Sequence, residues 1–189
     1  MGAKDELRKE LKELREKLGA EERGRIDAAI AGHVKNLPQY AVASHVFTYL
    51  SVGEEVDTRQ IIRDAWSQGK TVAVPRCVPG TRTMEWHVIE SFDNLEPGSF
   101  GIEEPQADPS TLIDPASAGP LDIALVPALS FDAHGFRLGY GGGFYDVFLP
   151  TFAGIPIGLC RNAQMSSVPL PTDVTDVPVP IVVTETGVA

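Results

Sequence analysis

Between Lys4 and Leu18, leucines at Leu7, Leu11, Leu14 and Leu18 recur at spacings of four, three and four, with charged residues filling most other positions. That period places them on one stripe of an amphipathic helix. Gly19 is expected to stop it. Glu21 and Glu22 suit the first turn of a second helix, whose apolar face is Ile26, Ala29, Ile30 and Val34. Beyond Pro38 the pattern changes, and the β-branched and aromatic run His45 to Leu50 predicts a strand entering the loop Ser51-Val52-Gly53. Thr58 is placed to cap a helix with apolar positions Ile61, Ile62, Ala65 and Trp66, which Gly69 closes before a strand from Thr71 to Pro75. Strand, helix, strand reads as a parallel crossover.

Met84, Trp86 and Val88 alternate with Glu85 and His87, the mark of a half-buried strand at a sheet edge. Residues 92 to 120 are rich in Pro, Gly, Ser and Asp and predict a long surface connection with short local structure. Buried strands are expected from Leu121 to Pro127, Ile155 to Cys160 and Ile181 to Thr184. With no internal repeat and no break in composition, the expectation is one domain spanning 1–189, an α/β/α three-layer sandwich on a largely parallel, Rossmann-like sheet.

Charge narrows the possible partners. The formal net charge is −10 over 189 residues, which disfavours nucleic acid and anionic membrane surfaces and requires any anionic ligand to be held by a local basic cluster. Cys77 and Cys160 sit in apolar runs without metal or redox spacing, as buried reduced thiols do, which points to a cytoplasmic setting. The first helix has no apolar signal core, and no run approaches the roughly 18 apolar residues of a membrane span.

The segment richest in chemistry is Gly135-Phe136-Arg137-Leu138-Gly139-Tyr140-Gly141-Gly142-Gly143-Phe144-Tyr145-Asp146, between a buried strand and an apolar helix ending near Leu149. Glycines at 139, 141, 142 and 143 cost backbone entropy, which makes sense where bare N–H groups must approach an anion at a helix N-terminus. Arg137 adds a full positive charge. A plain tight turn needs fewer glycines. A dinucleotide fingerprint fails because Phe144 takes the third glycine's place and no acidic residue closes a following strand; a Walker loop fails for lack of Lys-Ser or Lys-Thr.

Arg137-Leu138-Gly139-x-Gly141-x-Gly143-Phe144-Tyr145-Asp146, after Phe131-Asp132-x-x-Gly135, resembles the signature of the 5-formyltetrahydrofolate cyclo-ligase family. Further family-like pieces follow in order along almost the whole chain: Lys4-x-x-Leu7-Arg8, Tyr49-Leu50-Ser51 with Glu54, Glu55 and Asp57, Gly101-Ile102-x-Glu104-Pro105, Val126-Pro127, Asp176-Val177-Pro178 and Val183-Thr184-Glu185.

The resemblance implies an enzyme that uses ATP and Mg2+ to close 5-formyltetrahydrofolate into 5,10-methenyltetrahydrofolate, releasing ADP and phosphate through a phosphorylated formyl intermediate. It implies that Arg137, Leu138, Gly139, Tyr140, Gly141, Gly142, Gly143, Phe144 and Tyr145 line the ATP site, with Lys4 and Arg8 reaching in from the first helix. Lys4 and Arg8 lie four apart, on one helical face, which by spacing alone would suit a solvated surface. Asp146 and Asp176 are the magnesium candidates; as bare sequence they also read as a helix N-terminal acid and a turn aspartate. For the folate the family match points to Leu50, Val52, Glu55, Met84, Trp86, Phe100 and Tyr145, with Glu55 as acceptor for pterin or formamide N–H groups and Arg137, Glu55 and Lys4 as the catalytic set. Glu54 or Asp57 could take the place of Glu55, and Met84 and Trp86 read equally well as core.

Departures from the family pattern are Gly142 and Phe144 in the loop, Phe100, and Thr175 where a histidine is expected before Asp176. The expected partners are the reduced folate and ATP, with the chain a monomer or weak homodimer. Competing readings are a nucleotide- or folate-binding module that has lost turnover and a dinucleotide redox enzyme. The retained charges Lys4, Arg8, Arg137, Asp146 and Glu55 speak against the first, and the broken fingerprint against the second.

Overall fold

The computed structural model describes residues 2–189, apart from the side chains of Ala3 and Phe100. Helices α1 (Ala3–Lys17), α2 (Ala20–Lys35) and the short α3 (Pro38–Val42) precede β1 (His45–Phe47), α4 (Arg59–Ser67), β2 (Thr71–Cys77) and β3 (Met84–Ile89). A small hairpin of β4 (Leu95–Pro97) and β5 (Glu103–Pro105) interrupts the long connection, which otherwise holds short 3-10 turns. Then come β6 (Ile123–Val126), a ribbon of β7 (Ser130–Phe131) and β8 (Arg137–Leu138), α5 (Phe144–Phe148), β9 (Ile155–Leu159), β10 (Ile181–Thr184) and β11 (Gly187–Val188).

Among the described residues the main sheet runs β11-β10-β9-β6-β1-β2-β3. The inner five strands are parallel, and β3 and β11 close the two edges antiparallel. The sequence expectation of a largely parallel sheet holds, with β3 at an edge as its alternation suggested.

Strand residues alternate between two covered faces. Val46, Val72, Val74, Ile123, Leu125 and Ile157 pack under Ile30 and Val34 of α2 and Ile61 and Ile62 of α4. Phe47, Ala124 and Val126 face the other way, onto Phe148, Leu149 and Phe152 around α5. All four residues of β6 are buried, as a strand covered on both faces requires. Complete burial of Ile30 or Ile61 is worth about 1.5–3 kcal/mol each relative to exposure.

Several local expectations are corrected. Thr58 does not cap α4: its hydroxyl donates to the Tyr49 carbonyl at 2.7 Å, and Asp57 Oδ1 accepts from the Arg59 N–H instead. The extended run after His45 is a paired strand only to Phe47; Thr48 to Leu50 continue into the loop beyond the strand end. The β7–β8 ribbon intervenes between β6 and the glycine loop. Cys77 is only half-buried, whereas Cys160 is buried as expected; both are free thiols. Gly69 does close α4, at φ 72°.

Candidate active site

The parallel strands β1, β2 and β6 deliver Tyr49, Leu50, Cys77 and Pro127 to one end of the sheet, beyond their carboxyl ends, where open α/β sheets bind ligands. A cavity of about 590 Å³ lies there. Its rim is completed by α1, the glycine loop, the β2–β3 turn, β5 and the 173–176 segment.

The glycine loop is set by the turn before it. Buried Asp132 accepts hydrogen bonds from the N–H groups of His134 and Phe136 through Oδ1 and of Leu170 through Oδ2. Gly135 has φ 79°, and a Cβ there would overlap the Val179 carbonyl, so the Phe131-Asp132-x-x-Gly135 string is a structural hinge that aims β8 at the cavity. Gly141 at φ 99° and Gly143 at φ 72° form the left-handed bends of the loop, with Gly143 capping α5.

Helix α1 lies against this loop. Arg8 donates through Nε to the Gly139 carbonyl at 3.0 Å and pairs with Asp5 at 2.7 Å. Buried Arg15 donates to the Ala128 carbonyl and to the Tyr140 hydroxyl. Lys4 pairs with Asp173 at 2.6 Å and Asp176 at 3.1 Å. Burial pulls the Lys4 ammonium down, but the two aspartates outweigh it and hold it above its ordinary value. Asp176 is likewise penalised by burial, yet the Asp173 N–H and Lys4 hold it below the carboxylate range.

Arg137 is almost enclosed, donates to the Val177 carbonyl at 2.8 Å and forms an ion pair with Asp146. Burial lowers its pKa; the charges of Asp146 and Asp176 oppose this, so both carboxylates face the same guanidinium.

Leu50, Val52, Met84 and Tyr145 contribute apolar surface to the same cavity. Glu55 Oε2 accepts from the Val52 N–H at 3.0 Å. Burial pushes the Glu55 carboxyl above its ordinary value, partly offset by that N–H, by the Tyr140 hydroxyl and by Arg15. The Tyr145 hydroxyl is buried with no hydrogen-bond partner among the described residues, and burial raises its pKa far above the ordinary tyrosine value.

The structure therefore brings Lys4, Arg8, Leu50, Val52, Glu55, Met84, Arg137, the loop Leu138–Tyr145, Asp146 and Asp176 around one cavity. It does not place Trp86 there. Trp86 is 1% exposed, with its ring 5.3 Å from that of Phe47 and 4.6 Å from that of Phe148, so it is core rather than ligand wall. The side chain of Phe100 lies outside the described residues. Arg82, Arg15, Cys77 and Asp173 are neighbours of the site that the sequence reading missed. Burial and the adjacent Glu104 push the Cys77 thiol up to about 11, which disfavours the thiolate that a nucleophile needs.

Among the described residues six carboxylates line the cavity (Glu55, Glu103, Glu104, Asp146, Asp173, Asp176) against four cations, Lys4, Arg8, Arg82 and Arg137. Among the described residues no trio of ligating side chains could enclose a metal unaided. Asp146 and Asp176 both act on the Arg137 guanidinium, and one or two carboxylates are all the protein need offer a magnesium ion that keeps several waters.

Fold and site together define an α/β protein with one cavity lined by a glycine-rich loop, cations and apolar side chains. The model of the 5-formyltetrahydrofolate cyclo-ligase family matches residues 1–185. The 5-formyltetrahydrofolate cyclo-ligase of Haemophilus influenzae is 31% identical over 179 residues, 93% of this chain and 94% of that protein. The cyclo-ligase of Mus musculus is 35% identical over 150 residues, covering 78% and 73%. Among solved structures, the 5,10-methenyltetrahydrofolate synthetase of Aquifex aeolicus superposes with a TM-score of 0.84 at 30% identity, covering 99% of this chain and 92% of that one. The chain belongs to the 5-formyltetrahydrofolate cyclo-ligase family, a family of ligases. Among the described residues no helix is long and apolar enough to cross a membrane.

Proposed function

We propose that this chain converts 5-formyltetrahydrofolate to 5,10-methenyltetrahydrofolate at the expense of ATP, with Mg2+. The observation that carries the proposal is the convergence around one cavity of a bare glycine backbone, Lys4, Arg8 and Arg137 with Leu50, Met84, Tyr145 and Glu55.

A formamide oxygen is a poor leaving group, so the γ-phosphoryl must first be moved onto it. The formyl oxygen forms a bond to phosphorus while the bridging P–O bond breaks, and ADP leaves with that electron pair. Nitrogen 10 then attacks the activated carbon, loses its proton, and the phosphate departs with the original formyl oxygen. Magnesium, when bound, would neutralise charge on the phosphate oxygens. Phosphoryl transfer asks the protein mainly for positioning and charge stabilisation. In this chain the backbone of Gly139 to Gly143 and Arg137 would cradle the phosphates, with Lys4 and Arg8 closing the cradle from α1. Asp146 and Asp176 would hold the metal. Glu55 would accept N–H groups of the pterin, and Tyr145 would donate its hydroxyl to the bound ligands.

The test is the absorbance of methenyltetrahydrofolate formed from 5-formyltetrahydrofolate. Product should appear only when the chain, ATP and magnesium are all present; no product with all three would overturn the reading.

A further inference from the structure

Of the four cations around the cavity, three already have partners. Lys4 is neutralised by Asp173 and Asp176, Arg8 by Asp5, and Arg137 by Asp146. Arg82 is different: among the described residues its guanidinium makes no ion pair or hydrogen bond, although carboxylates outnumber cations around the cavity. Its position is well defined by the turn that carries it. Between β2 and β3, the Val78 N–H donates to the Thr83 carbonyl at 3.1 Å, Gly80 takes φ 74°, and the Thr81 and Thr83 hydroxyls lie 2.8 Å apart. This turn lays Arg82 directly over Gly143, so closely that a Cβ on Gly143 would stand 3.3 Å from Arg82 Cδ and 3.5 Å from Nη1. Gly143 is the end of the glycine loop nearest Tyr145, and Met84, two residues beyond Arg82, contributes apolar surface to the cavity. An unneutralised cation is therefore held over the end of the glycine loop in a cavity that Met84 and Tyr145 also line.

We propose that Arg82 is a catalytic residue that contacts the terminal phosphoryl group of the nucleotide as it passes to the formyl oxygen. This rests on the reading of the glycine loop as a triphosphate cradle. Lying over Gly143 rather than over Gly139, Arg82 addresses the phosphate nearest the folate. As the bond to the formyl oxygen forms and the bridging P–O bond breaks, charge spreads over the equatorial oxygens of the moving group, and a guanidinium there stabilises that state more than the ground state. Its exposure and lack of a carboxylate partner mean that no ion pair has to be broken before it binds phosphate.

The experiment compares the full-length chain with Arg82→Ala and Arg82→Lys by steady-state kinetics, and by calorimetric binding of ADP and of a non-hydrolysable ATP analogue with magnesium. Arg82→Ala should lower kcat by about 100-fold, the scale for one lost electrostatic contact to a transition state. It should weaken the ATP analogue while leaving ADP affinity and the melting temperature unchanged, and Arg82→Lys should restore part of the rate. Three results would overturn the proposal: unchanged kcat, equal weakening of ADP and analogue, or a rise confined to the KM for folate, which would assign Arg82 to the folate carboxylates. If the wild-type chain binds neither nucleotide, the triphosphate reading fails first and is recognised by that result.

Discussion

Arg161 and Asp27 face each other in a buried, two-pronged ion pair, with Nε and Nη2 each 2.8 Å from a different carboxylate oxygen. The pair is more than a core contact. Arg161 also donates to the carbonyls of Glu54 at 2.8 Å and Glu55 at 3.1 Å, and Asp27 accepts from the Asp57 N–H at 3.2 Å. Together they pin the loop that presents Glu55. Removing one partner strands a buried charge and should cost about 3–5 kcal/mol, whereas the double change Asp27→Leu with Arg161→Met should cost much less. That double variant keeps a core but frees the loop. Its kinetics should show a higher KM for the folate with the KM for ATP unchanged, and unchanged values for both would remove the positioning role.

Arg137 and Asp146 are coupled in the same sense, but one of them also braces the 173–179 tail through the Val177 carbonyl. Arg137→Ala should therefore lower kcat by about 100-fold or more and also lower the melting temperature. Asp146→Asn leaves the almost enclosed Arg137 without its carboxylate, so it too should lose stability, and what sets it apart should be a raised magnesium requirement. Magnesium titrations of the two variants separate these outcomes.

The partnerless hydroxyl of Tyr145 makes a prediction of opposite signs. Removing a buried donor that bonds nothing relieves a desolvation penalty, so Tyr145→Phe should be as stable as the wild type within about 0.5 kcal/mol, or slightly more stable. If the hydroxyl donates to bound ligand, the same change should lower kcat/KM by about 10-fold or more, the equivalent of one hydrogen bond to a charged group. Denaturant melts and initial rates on one preparation decide it.

Glu55 should set the acid limb of the pH profile. Burial holds its pKa above 4.5, so it takes up a proton at a higher pH than an ordinary glutamate and then ceases to be an acceptor. The kcat/KM for folate should therefore fall on acidification at a higher pH than an ordinary glutamate would set. Glu55→Gln should lower the plateau and abolish that limb. The sign for stability is reversed: burying the ionised form costs folding energy above its pKa, so the glutamine variant should be the more stable protein at neutral pH.

The sequence made the architecture readable where side-chain periodicity reflects burial. Val46 and Phe47, or Ala124 and Leu125, fall in apolar runs because both faces of the sheet are covered. The glycine loop was legible because four glycines are hard to explain as a turn. Trp86 was misread because strand alternation identifies a covered face without saying whether core or ligand covers it; here Phe47 and Phe148 do. Thr58 was misread because a hydroxyl before a helix can bond forward as a cap or sideways, and the Tyr49 carbonyl lies within its reach. Arg82 and Arg15 carried no signal in the chain. One is brought to Gly143 by a turn and the other to Tyr140 by the docking of α1, contacts between residues far apart in sequence.

The central claim is transfer of a phosphoryl group to the formyl oxygen within this cavity, and an isotope follows that atom directly. With 5-formyltetrahydrofolate labelled with oxygen-18 in the formyl group, turnover with ATP and magnesium should place the label in the released inorganic phosphate. Methenyltetrahydrofolate formed with unlabelled phosphate, the label appearing in water instead, would contradict the account.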